Sequence, residues 1–112
     1  MNNEEFLPQV ILSKEAKIEY LNSIIGRVHK VLYLIEEEKE TGFSPSPFMS
    51  GIMFELNAAN QFYGNKFVTV IIKLEGIRKG YKEMEFSDIR KQIFEIRRII
   101  NRMIKEIEES EE

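Results

Sequence analysis

The chain has 112 residues, with 43% hydrophobic and 31% charged residues and a formal net charge of −3. That is the length of one domain with a real core, and it is too apolar to stay disordered. Cysteine is absent, which excludes a disulfide framework, a thiol nucleophile and a thiolate metal site.

The opening residues, Asn2, Asn3, Glu4 and Glu5, carry the wrong charge for a secretory leader, and Pro8 interrupts the short apolar stretch behind them. The longest strongly apolar run, Phe67 to Ile72, is interrupted by Thr69 and falls far short of the roughly 20 residues of a membrane span. A cytoplasmic protein with no membrane contact is expected. Isoleucine (16) outnumbers leucine (7), and alanine is scarce (3). That bias fits AT-rich coding, as in a low-GC bacterium, its phage or a plasmid.

Residues 1–12 show no period and read as an N-terminal arm. Ser13 is a candidate N-cap with Glu15 in the first turn behind it. Ile18, Leu21, Ile25, Val28, Leu32 and Ile35 then step by threes and fours, with Tyr20, Ile24 and Val31 widening the stripe. This predicts a long first helix over 13–41, stopped by Gly42.

Ser46 as N-cap and Pro47 at the first helical position predict a second helix over 47–63. Its apolar face is Met49, Ile52, Met53, Leu56, Ala59 and Tyr63, and Gly64–Asn65 ends it. The stretch 66–72 is rich in β-branched residues and could form a strand. Nothing else in the chain offers it a partner strand, however. Phe67, Val70, Ile71, Leu74 and Ile77 also fit one helical face, so a third helix is predicted over 66–79. Ser87 as N-cap opens the fourth, over 87–108, on a seam of Ile89, Ile93, Ile96, Ile100, Met103 and Ile107. An acidic tail, 106–112, follows.

The fold class is therefore all-α: a single domain, 1–112, forming an antiparallel bundle of about four helices, the first and last long with heptad seams. The middle two are shorter, which predicts uncovered ends on the long pair and hence a homodimer.

Chemistry-bearing patterns are sparse. His29 is the sole histidine, at the edge of the first helix's core stripe, and reads as a boundary residue. All-helical nucleotide pyrophosphohydrolases hold magnesium with acids spaced i, i+3 on facing helices. Glu37 and Glu40 have that spacing, but the second pair, ending in Asp, is missing, since Asp88 is the only aspartate. Serines fall in caps, loops or helix faces without a base motif, and no glycine-rich phosphate loop is present. No catalytic residue, metal ligand or cofactor is assigned.

Charge layout is the most informative feature. Residues 1–72 hold six cations against nine anions; 73–105 hold ten against five; 106–112 hold five anions alone. On the fourth helix Lys91, Arg98, Arg102 and Lys105 project opposite the core seam, Arg90 and Arg97 flank them, and Phe94 shares the outward side. Arginine and aromatic residues dominate interface energies. The second helix adds a polar cluster of Asn57, Asn60 and Gln61. The expected function is a small, non-enzymatic protein-interaction module, homodimeric, that uses these ten residues. The alternative is a nucleic-acid-binding accessory protein gripping phosphates with the basic face. A second alternative is a metal-dependent helical hydrolase using the Glu36–Glu40 run with Glu55 or Glu75.

Overall fold

The structure, a computed structural model, describes residues 12–110. The predicted arm therefore lies outside the described residues except for Leu12, and so does the tip of the acidic tail. Four α-helices follow one another: α1 (Lys14–Thr41), α2 (Ser46–Ala59), α3 (Val68–Gly80) and α4 (Phe86–Glu109). Short 3-10 turns, Asn60–Phe62 and Tyr81–Glu83, extend α2 and α3. The β-branched segment is helical because Phe67, Val70, Leu74 and Ile77 all reach the core from one face.

Cross-helix contacts fix the topology. Lys14 Nζ donates to the Ser110 carbonyl (2.7 Å) and His29 faces Phe94, so α1 and α4 run antiparallel. The Tyr63 hydroxyl reaches the Lys17 carbonyl (3.3 Å), and the Lys30 ammonium lies over Phe48, which sets α2 antiparallel to α1. Lys66 pairs with Glu106 and Lys73 with Glu95, placing α3 antiparallel to α4. Each helix thus packs between two antiparallel neighbours in an up-down-up-down bundle. The core is one cluster from all four helices.

Placement between two neighbours explains a difference at α1. The stripe expected through Ile18, Leu21, Ile25, Val28, Leu32 and Ile35 is rotated: the buried residues are Leu21, Ile24, Val28 and Val31. Ile18, Ile25, Leu32 and Ile35 are only partly buried: the first three lie on the side of α1 that carries His29 and turns towards α4, and Ile35 lies in line with the buried residues near the helix end. The buried line bisects the directions of α2 and α4. On the α2 side, Arg27 donates to both Glu55 oxygens (2.9 and 2.7 Å), and the Tyr20 hydroxyl donates to Glu55 Oε2 (2.6 Å). These bonds, Arg27's first, pull the Glu55 carboxyl down to about 2. Burial and the same carboxylate push the Tyr20 phenol up.

Three helix ends differ from expectation. Ser46 is the first residue of α2 rather than its cap; Pro45 holds the cap position, and Ser44 Oγ accepts from the Ser46 amide (3.1 Å). Ser87 likewise lies inside α4. The Glu85 carbonyl accepts the first helical bonds, from Asp88 (2.9 Å) and Ile89 (3.1 Å), with no side-chain cap. α2 ends at Ala59, not at 63, because the chain tightens into the 3-10 turn. Ser13 and Gly42 cap α1 as read: Ser13 Oγ accepts from Ala16, and Gly42 sits at φ 75°.

The mismatch in helix length is absorbed by the two 3-10 turns. Tyr63 meets α1 at Lys17, and the Tyr81 hydroxyl donates to Glu38 Oε1 (2.6 Å) near its other end. What remains uncovered is a cleft at each end, of about 830 Å³ beside Leu12 and Ile107 and about 760 Å³ beside Ile35 and Phe86.

Asn60 organises the α2–α3 connection. Its carbonyl accepts from Tyr63 and Asn65 (3.0 Å each), and its side-chain Oδ1 accepts from the Phe67 amide (3.0 Å), where α3 begins. Between these bonds Gly64 and Asn65 take left-handed conformations, φ 64° and 60°. The side chain is consequently buried. Asn60→Ala leaves the Phe67 amide without its acceptor and should lower the free energy of unfolding by about 1–2 kcal/mol. Asn57→Ala and Gln61→Ala, at exposed positions, should stay within about 0.5 kcal/mol; equal effects at all three in urea titrations would contradict this division. Glu55→Ala should cost about 1 kcal/mol, a figure reduced for solvent screening because both charged side chains are more than a third exposed. The Glu55 contribution is present above pH 4.5 and fades as pH falls towards 2.

Candidate functional site

Two acids of α4 pair with the α3 segment: Glu95 is bound by Lys73 (2.8 Å) and Glu106 by Lys66 (2.7 Å). Asp88, Glu108 and Glu109 are exposed. Arg90, Lys91, Arg97, Arg98, Arg102 and Lys105 are all exposed. None of the six has an ion-pair partner within 4.0 Å among the described residues. At 1.5 Å per residue the row from Arg90 to Lys105 is about 22 Å long. Arg90 lies over the Phe86 ring, 5.8 Å from its centroid.

Phe94 stands among these cations, 41% exposed. Its ring meets His29 edge-on, centroids 5.3 Å apart at 71°. One turn further along α1, Tyr33 is 56% exposed. The antiparallel register set by His29 and Phe94 places Tyr33 next to the turn of α4 that carries Arg90. The result is a shallow surface across α1 and α4, with two aromatic rings bordered by guanidinium groups.

Of the ten candidate residues, the structure gathers seven here: Phe94 and the six cations. Asn57 on α2 and Gln61 in the 3-10 turn behind it are exposed, on a segment that packs chiefly against α1 and α3. Asn60 is spent inside the turn. Tyr33 was not singled out from the sequence; its separation of four residues from His29, one helical turn on the same side, was the available signal.

The carboxylates of the hydrolase alternative are dispersed. Glu55 is held by Arg27, Glu75 by Arg78 and Lys79, and Glu38 by the Tyr81 hydroxyl. Among the described residues no three His, Asp or Glu side chains converge on a common point. Nor is any described helix long and apolar enough to cross a membrane.

His29 Nε2 is buried and has no hydrogen-bond partner among the described residues. Burial, and secondarily the Arg97 charge, lowers the imidazole below its usual pKa. Protonation is easier in the unfolded chain, so stability should fall as pH drops below 6.5, with a slope of at most about 1.4 kcal/mol per pH unit. The depressed carboxylates, Glu55, Glu75, Glu95 and Glu106, lose their contribution mainly below 4.5 and weigh only on the acid end of that window. Urea midpoints between pH 7 and 5 should decline in the parent chain and flatten in His29→Leu; a parent midpoint independent of pH would contradict the assignment. Comparison of the chain with protein-family models, with characterised proteins and with solved structures gives no match.

Proposed function

We propose that the chain is a non-enzymatic binding module whose α1–α4 face, centred on Phe94, docks an acidic segment of a partner protein. The observation that carries this reading is the row of six exposed cations with no ion pair among the described residues, beside the exposed rings of Phe94 and Tyr33. Charges already neutralised within a fold contribute little to a partner, whereas unpaired ones steer an oppositely charged surface and fix its register. Phe94 supplies what charge alone lacks: an apolar anchor in the middle of the polar rim, as in the centre of protein interfaces. His29 packs against the Phe94 ring and holds it in place.

A second reading has one observation in its favour. A row of guanidinium and ammonium groups about 22 Å long can meet several successive nucleic-acid phosphates, and exposed aromatic rings can stack on unpaired bases. The acidic end of α4 and the net charge of −3 oppose it.

A photoreactive benzoylphenylalanine at position 94, irradiated in a lysate of the source cells with and without nuclease, separates the two. The expected product is a nuclease-resistant protein adduct that disappears when Arg98→Glu and Arg102→Glu are added. An adduct lost on nuclease treatment, with oligonucleotide affinity falling steeply with salt, would give the face to nucleic acid instead. Equal crosslinking in the charge-reversed chain would overturn both readings.

A further inference from the structure

A different face of the bundle has an unusual composition. Within α2, Ser46–Ala59, the sole charged residue is Glu55, and it is turned towards α1 and held by Arg27. The exposed residues of α2 are therefore uncharged throughout, and Phe54 among them is 79% exposed. On α3, Val68, Thr69, Ile72 and Gly76 are exposed and uncharged, with Ile72 at 64% and Val68 at 48%. In a chain with 31% charged residues, the charged residues of these two helices short of Lys79 are Glu55, Lys73, Glu75 and Arg78, each only partly exposed and each held in an ion pair. Monomeric surfaces seldom combine loss of charge with clustered large apolar groups; interface centres do.

The register brings the largest exposed groups of the two helices together. Asn60 bonds to Phe67 at one end of the α2–α3 pair and Arg78 to Ser46 at the other. Counting inward from both places Phe54 beside Ile72 at mid-height. By helical geometry Phe54 projects opposite Met49, Ile52 and Leu56, and Ile72 opposite Phe67 and Leu74, so both point straight out. We propose that this face docks a second copy of the chain in a two-fold dimer that stacks Phe54 and Ile72 on the same pair of the partner.

Three features favour a second copy as the occupant. A two-fold axis lying in the interface, either along the helices or across them at the Phe54 level, superimposes the apolar pair on its copy. The charges nearest the pair, Glu75, Arg78 and Lys79, are tied to one another in ion pairs, so no unpaired charge meets its own image, as would happen at once on the α4 face. Small residues around the pair, Ser50, Gly51, Ala58 and Gly76, let the helices approach closely. The footprint of two helices is roughly 20 Å by 20 Å. That is below the roughly 800 Å² per partner of a standard interface, so the dimer is weak and depends on concentration. This inference concerns a face separate from the proposed partner site on α4, and the two can fail independently.

Sedimentation equilibrium of the full chain between about 1 and about 500 micromolar tests it. The expected result is a weight-average mass rising from one chain towards two. Phe54→Lys with Ile72→Lys should abolish the rise, and so should Phe54→Glu with Ile72→Glu; helicity by circular dichroism checks that both remain folded. Mixing the two variants should restore a mass of two chains under either axis. Arg98→Glu should leave self-association unchanged. A parent chain of single mass throughout, a dimer that survives Phe54→Lys with Ile72→Lys, or a mixture that stays monomeric would overturn the proposal.

Discussion

The antiparallel seam between α1 and α4 is the constraint on which the rest of the molecule depends. Isoleucines at alternating steps of four and three on α4 are buried along almost the whole helix, and they leave it one orientation against α1. That orientation decides which charges are spent and which are free. Glu95 and Glu106 fall within reach of Lys73 and Lys66, and the six exposed cations are left without such partners among the described residues. It also sets His29 against Phe94, so that the ring at the centre of the outward face is supported from below. The surface chemistry follows from the register of the core.

α2 and α3 close the other half of the core as a hairpin hung on Asn60. One buried amide, bonded to the amide where α3 begins, joins the end of one helix to the start of the next. The latch of Tyr20, Arg27 and Glu55 then ties α2 to α1. Charged groups on the hairpin are consumed by such ties, which is why its outer surface is left neutral. The bundle thus has a side of exposed cations and a side whose charges are tied in pairs, and both arise from where the stabilising ion pairs were placed.

Much of this was legible in the sequence because amphipathic period is a local property. The α4 isoleucines and the stops at Gly42 and Gly64 gave helices close to those observed. The segment 66–72 was resolved by its helical spacing, against its β-branched composition. Ser46 and Ser87 misled because serine near a helix start suits several positions, and the true start depends on which carbonyl the first amides reach. The rotated stripe of α1 was not legible, since its centre depends on the positions of two neighbours. The same holds for Asn60: the amide cluster was visible, but which of its members points inward is decided by the turn. Six of the seven residues on the α4 face were identified through their charge, whereas Tyr33 needed the register between helices.

The connectivity also bears on the order in which the molecule assembles. Lys14 and Ser110 touch across a separation of 96 residues, whereas Asn60 and Phe67 are separated by 7. Closing a loop costs entropy that grows with its length, and the α2–α3 hairpin shortens the loop between the outer helices before they meet. The seam that fixes the native register is therefore a late event. Its terminal contacts contribute to the lifetime of the folded state, through the rate of unfolding, more than to the speed at which that state is reached.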